Sequence, residues 1–197
     1  AKGITNGLSH FAVRAEQAHE LVLGVLRRHL ALRSVLEPLV RGPWDRLEPE
    51  LRAVLECAAY QALFLSRIPP HARVGSAVDA ARALSGEGGS RLVNGVCRAF
   101  ERTLASDPLA TLPPALLHSV PQAVLARMEA AAGRPVEPAE LAVLSERAPS
   151  VYRVNRRFSD RNAALARLSE LGDGCGPTAF ATDGISVSEA VAARVLP

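Results

Sequence analysis

Lysine is almost absent: Lys2 is the only one among 23 basic residues, so arginine carries the positive charge. Long apolar runs are also missing. The longest, "ALFLSRI", is cut by Ser66 and Arg67 and falls far short of the ~20 residues that cross a bilayer. The opening "AKGITNGLSH" has no apolar centre and does not read as a signal peptide; its lack of a first methionine fits a chain processed or excised from something longer. Cysteine is sparse. Cys57, Cys97 and Cys175 are widely spaced, with no Cys-x-x-Cys or Cys/His cluster, which argues against structural zinc and for a reducing cytoplasm. His10, His19, His29, His71 and His118 offer no metal-ligand pairing, and no Ser/His/Asp set can be assembled. Cys175 lies in "GDGCGPT", whose glycine spacing fits neither a dinucleotide loop nor a P-loop, so it reads as a flexible turn. No catalytic residue, metal or cofactor is therefore expected in this chain.

What is present is enough apolar material for a core. Hydrophobic residues make up 48% of 197 and charged residues 22%, the balance of a globular domain with a small appendage. The net charge of +3 is unevenly placed: residues 1–105 hold 14 bases against 10 acids, 106–147 hold 3 against 5, and 148–197 hold 6 against 5. Arginine forks match phosphate bidentately. The bland alternative is that an Ala- and Arg-rich chain only reflects codon usage.

Apolar spacing predicts four successive amphipathic helices. The first covers about 15–36, with Ala18, Leu21, Val22, Val25, Leu26 and Leu36 inward and Glu16, Glu20, Arg27 and Arg28 off that stripe. The second opens at Pro49, carries Leu51, Val54, Leu55, Ala58, Ala62 and Leu65, and stops at Pro69-Pro70. The third carries Val74, Ala77, Val78, Ala81 and Leu84 and is closed by "GEGG"; the fourth starts near Ser90 and turns Leu92, Val93, Val96, Cys97, Phe100 and Leu104 inward. Each has one apolar side and needs the others to bury it. Cys57 and Cys97 read as core thiols, Asn94 as a core hydrogen-bonder to a neighbouring helix end, and Tyr60 and Gln61 as packing and interhelical bonding. After a Pro-rich stretch, "SVPQ" reads as a capping box at Ser119 that opens a helix to about Ala132, followed by a short helix at 138–146. "VYRVNRRF" alternates like a strand, with Tyr152, Val154 and Phe158 on one side. "SDRNAALARLSELG" is a capped helix carrying Leu165, Leu168 and Leu171, and "TAFATDGISVS" reads as two extended pieces around Asp183-Gly184, one of which should pair with 151–156.

"ELVLGVLRR" and "AAYQALFLSRIPPHARVGSAVDAAR…RLVNGVCRAF" resemble the NusB-like helical domain of bacterial antitermination factors. The same domain stands at the front of the small-subunit rRNA cytosine-C5 methyltransferases of the Sun/Fmu type. "SVPQAVLARMEAAAG", "APSVYRVNRR" and "LSELG" are similar to that branch's linker and next subdomain. The resemblance implies a mainly α fold: a NusB-like antiparallel bundle at 8–105, a helical connector at 106–147 and a small α/β piece at 148–197. The family's basic first helix is not supplied by residues 1–14, and its Pro-Cys and Thr-Cys catalytic segments do not occur. Its S-adenosylmethionine-binding domain is not expected here either.

The function implied is the non-catalytic, RNA-binding front region of such a methyltransferase, or of a truncated relative. Its partners would be RNA, chiefly rRNA, together with a methyltransferase domain in the same polypeptide or a separate protein, and no membrane. Candidate phosphate contacts are Arg27, Arg28 and Arg33 on the first helix, Arg67 and Arg73 beside the Pro-Pro corner, and Arg153, Arg156 and Arg157 on the strand. Two alternatives stand beside this reading. One is an antitermination adaptor that binds RNA with a ribosomal protein; the other is a helical protein-interaction module with an apolar groove.

Overall fold

A computed structural model describes the backbone over residues 2–65, 67–146 and 148–195, and the side chains of residues 18–65, 67–146, 148–188, 190–192 and 194. Glu16, His10 and Ser66 therefore lie outside the described side chains. The chain divides into two compact units, 1–145 and 146–197, so the segment expected as a separate connector belongs to the first unit.

The first unit is built on three long helical stretches. Helix α1 (Lys2–Leu36) starts well before the residue 15 expected from spacing. Two 3₁₀ turns (Glu37–Leu39 and Trp44–Arg46) lead to α2 (Pro49–Phe64), which packs between α1 and α3 (Pro70–Thr103). Pro49 and Pro70 both stand in the first turn of their helices, where a missing N–H costs nothing. The two helices expected at 74–84 and 90–104 form one stretch broken only at Ser85 and Gly86. Gly86 takes φ +68°, a conformation open to glycine, and with Ser85 it makes the bend, so Glu87, Gly88 and Gly89 resume the helix instead of stopping it. The Ser85 hydroxyl, bonded to Glu48, ties this bend to the start of α2.

Leu55, Ala58, Val93, Val96 and Phe100 are buried in one cluster, with Val78 partly buried against it. The largest fully buried side chain is Trp44, from a short turn where helical periodicity gives no signal. The inward stripe of α1 is narrower than its apolar content: Leu21, Val25, Leu32 and Leu36 meet the core, while Val22 and Leu26, about 100° further round, are 56% and 67% exposed. Leu84, beside the bend, is exposed as well. Gly24 lets α2 approach: a Cβ there would lie 2.0 Å from the Tyr60 ring. The Tyr60 hydroxyl donates to Glu20 Oε1 at 2.9 Å, so Glu20 is an interhelical acceptor and not a solvated face residue. Asn94 does not cross the core; its Oδ1 accepts from Arg98 one turn on.

Three shorter helices complete the unit: α4 (Pro114–Leu117), α5 (Gln122–Ala132) and α6 (Pro138–Ser145). The capping box expected at Ser119 does not form, because Pro121 occupies the cap position of α5 and Ser119 adopts φ +55°. Its hydroxyl accepts instead from the Ala31 N–H of α1 at 3.2 Å.

The second unit is a three-stranded antiparallel sheet with two helices. Its strands β1 (Ser150–Arg153), β2 (Gly176–Pro177) and β3 (Gly184–Val187) lie in the order β1-β3-β2. Tyr152 pairs with Ile185 and Arg153 with Gly184, in the region expected from the alternation. Ile185 and Val187 form a core with Val191 of α8 (Glu189–Val195), and Tyr152, Val154, Leu165 and Leu168 pack onto it, the last two from α7 (Arg161–Ser169). Asp160 caps α7 by accepting from the Ala163 N–H. Cys175 packs at the edge of this core, not in a free turn. Phe158 departs from expectation. The strand ends at Arg153, a turn follows, and the Phe158 ring is 86% exposed.

Candidate nucleic-acid interface

The eight arginines singled out by sequence fall into two groups according to what lies within their reach. Arg73 is buried, and its guanidinium donates through Nε and Nη2 to both oxygens of Glu101 at 2.7 Å and through Nη1 to the Ile68 carbonyl at 2.9 Å. That geometry answers why an Arg follows the Pro-Pro corner: it clamps the corner to the far end of α3. Arg73 is thereby withdrawn as a phosphate contact, because its fork is buried and already engaged by a carboxylate and a carbonyl. Arg28 donates to the Leu117 carbonyl at 3.2 Å and stacks 5.3 Å from the Phe64 ring, holding α4 against α1. Arg33 donates to Glu37 at 3.3 Å and Asp45 at 3.1 Å; the Glu37 hydrogen bond raises its pKa most, desolvation opposes the rise, and Asp45 adds to it.

The remaining candidates are less committed. Arg27 is partly exposed and has no hydrogen bond or ion pair among the described residues, while Arg67 is exposed beside an apolar groove of about 560 Å³. In the second unit Arg153 and Arg157 are exposed and have no carboxylate partner among the described residues. Arg156 donates through Nε to Asp183 at 2.7 Å but keeps a largely exposed side chain.

Local chemistry builds a cavity around these last residues. After β1, the Asn155 side chain accepts from the Arg157 N–H at 3.0 Å, and its carbonyl accepts from Phe158 and Ser159. This tight turn sets Arg156 and Arg157 at the mouth of a cavity of about 760 Å³, which Phe158, Arg161, Thr182 and Asp183 also line. Arg161 reaches across to the Ala181 carbonyl at 3.5 Å. Sequence reasoning passed over Arg161 because it opens a helix, yet "RVNRRFSDR" already places four arginines within nine residues.

The first unit also holds a basic groove that the sequence reading did not find. About 550 Å³ in volume, it is lined by Leu39, Leu92, Val96 and Ala99, with Arg41, Arg91 and Arg102 around it. The signal was the helical spacing of Arg91, Arg98 and Arg102 on the outer side of α3.

The two thiols of the bundle, Cys57 and Cys97, are held in the protonated form. Burial, then Glu101, push the Cys97 thiol up to about 11, and burial raises Cys57. No group of three or more His, Cys, Asp or Glu side chains among the described residues could hold a metal.

A family model described as the NusB family matches residues 9–102. Ribosomal RNA small subunit methyltransferase B of Pseudomonas putida is 31% identical over 180 residues, covering 90% of this chain and 41% of that protein. The same-named protein of Escherichia fergusonii is 30% identical over 186 residues, again 90% of this chain and 41% of the relative. A probable ribosomal RNA small subunit methyltransferase B of Synechocystis matches 83 residues at 37% identity, 42% of this chain and 19% of its own length. The chain thus spans well under half the length of these curated relatives, and the similarity to the first two runs through both units. Residues 9–102 of this chain are a NusB-family domain.

Proposed function

We propose that this chain binds ribosomal RNA in the cytoplasm as the non-catalytic front region of a methyltransferase B-type protein. The observation that carries the reading is the arginine-lined cavity after β1. There Arg156, Arg157 and Arg161 line the cavity with Arg153 close by in sequence, and Arg153, Arg156 and Arg157 are exposed, while Arg28, Arg33 and Arg73 of the bundle spend their guanidinium groups on partners within the fold. Guanidinium forks with free donors pair bidentately with phosphate. Arg27, Arg67, Arg41 and Arg102 supply further positive charge on the first unit. The similarity to methyltransferase B proteins continues past residue 102, which favours this reading over an antitermination adaptor that ends with the bundle. No helix among the described residues is long and apolar enough to cross a membrane, in keeping with an RNA partner.

Filter binding of the chain to rRNA fragments across a salt series tests the proposal. Phosphate-dominated binding weakens linearly on a log–log plot, with a slope of about −0.7 to −0.9 per neutralised phosphate. Affinity indifferent to salt would refute it. The same samples, given S-adenosylmethionine with a labelled methyl group, should transfer no label to RNA.

A further inference from the structure

Among the described residues, two phenylalanines stand wholly outside both cores. Phe158 is 86% exposed and Phe180 fully exposed, although burying such a ring is ordinarily favourable. Neither lies on a loose segment. Phe158 closes the Asn155 turn, with its N–H bonded to the Asn155 carbonyl at 3.0 Å. Phe180 sits on the loop between β2 and β3, where the Ala181 carbonyl accepts from the Gly184 N–H at 3.0 Å, the Thr178 hydroxyl at 3.2 Å and Arg161 at 3.5 Å. Gly184 makes this closure possible, since a Cβ there would meet Thr178 Oγ1 at 2.0 Å. The loop is cinched so tightly that the Phe180 ring has no core to reach. Phe158 lines the same cavity as Arg156, Arg157 and Arg161, and Thr182 and Asp183 bring the Phe180 loop to that cavity's wall.

We propose that Phe158 and Phe180 are stacking platforms for unpaired bases, with the neighbouring arginines holding the phosphates between them. The ligand class is single-stranded RNA, such as a loop or bulge, and not an RNA duplex. A duplex presents phosphates but hides its base faces, so a basic patch alone would suit it, whereas exposed rings among arginines suit bases splayed out of the stack. The acids at the cavity are already engaged. Asp183 is paired with Arg156, and Asp160 accepts from the Ala163 N–H at the start of α7. An apolar peptide is the poorer fit, because arginine and acid side chains dominate the lining.

This inference rests on the RNA reading above, and its test separates the two. The whole chain is titrated with fluorescent oligouridine and with a fully paired RNA duplex of equal length. Oligouridine should bind tighter, and Phe158→Ala with Phe180→Ala should weaken it by about tenfold per ring. Duplex affinity and the salt slope should stay unchanged. Phe158→Trp should retain binding, with its indole emission quenched by oligouridine and not by duplex. If the wild type binds both RNAs in a salt-dependent way and the alanine variant loses nothing, stacking is overturned while the RNA reading survives. If the wild type binds neither, both fall. Because both rings are exposed, circular dichroism of the variants should match the wild type.

Discussion

The arginines of the bundle and those of the second unit are chemically identical and do opposite work. At the Pro-Pro corner, Arg73 is enclosed, forked onto Glu101 and bonded to a backbone carbonyl. After β1, Arg157 follows a turn that satisfies its backbone and leaves its side chain in water. The difference lies in what each backbone brings near. The bend in α3 carries a carboxylate from 28 residues away to the Arg73 fork, whereas a short turn at a sheet edge has nothing to offer Arg157. An arginine count therefore overstates a binding surface, and partners in the fold decide which guanidinium groups remain available.

The sharpest way to break that comparison is at the corner. Arg73→Ala leaves Glu101 without its partner and should destabilise the first unit by about 3–5 kcal/mol. Denaturant unfolding followed by far-ultraviolet circular dichroism would measure it. Arg73→Lys should also fail to restore stability, since an ammonium cannot reproduce the fork. A loss below ~1 kcal/mol, the range of an exposed pair, would mean that Arg73 is no brace.

A smaller effect sharpens how closely the bundle is fitted. Gly24→Ala drives a methyl into the Tyr60 ring and should cost about 1–3 kcal/mol, read as a lower midpoint in the same unfolding curve.

The smallest effect concerns pH. His118, whose Nδ1 lies 2.9 Å from Ser145 Oγ, has its pKa lowered by burial and then by the Arg28 charge. Its unfolded form therefore takes up a proton more readily than its folded form. The stability it contributes is present above the ordinary histidine value near 6.5 and is lost as pH falls below that value and through the lowered folded one. Unfolding midpoints at neutral and mildly acidic pH should diverge more in the wild type than in His118→Gln.

Much of this was legible in the sequence. Helical spacing placed Leu55, Val93, Val96 and Phe100 in one core, and period-two alternation put Tyr152 and Val154 on the inner face of a strand pairing with 184–187. The failures have local causes. Phe158 continued the alternation on paper, but the strand ends at Arg153 and the Asn155 side chain captures the Arg157 backbone N–H, turning the chain before Phe158. Val22 and Leu26 fell on a stripe drawn too wide for a helix that meets its neighbour along one line. Trp44 has no periodic neighbours, and the "SVPQ" cap was lost because a proline two residues on took the cap position. The site was half legible. Its arginines could be seen, but whether each had a carboxylate waiting depends on contacts dozens of residues apart.

The central claim is that availability, not number, makes an arginine a phosphate contact. The slope of RNA affinity against salt for two neutralised variants tests it most directly. Arg153→Gln with Arg157→Gln should flatten the slope by about 0.7–0.9 per arginine, whereas Arg33→Gln, whose wild-type side chain is held by Glu37 and Asp45, should leave it unchanged. Equal flattening from Arg33→Gln, or none from the second-unit pair, would contradict the account.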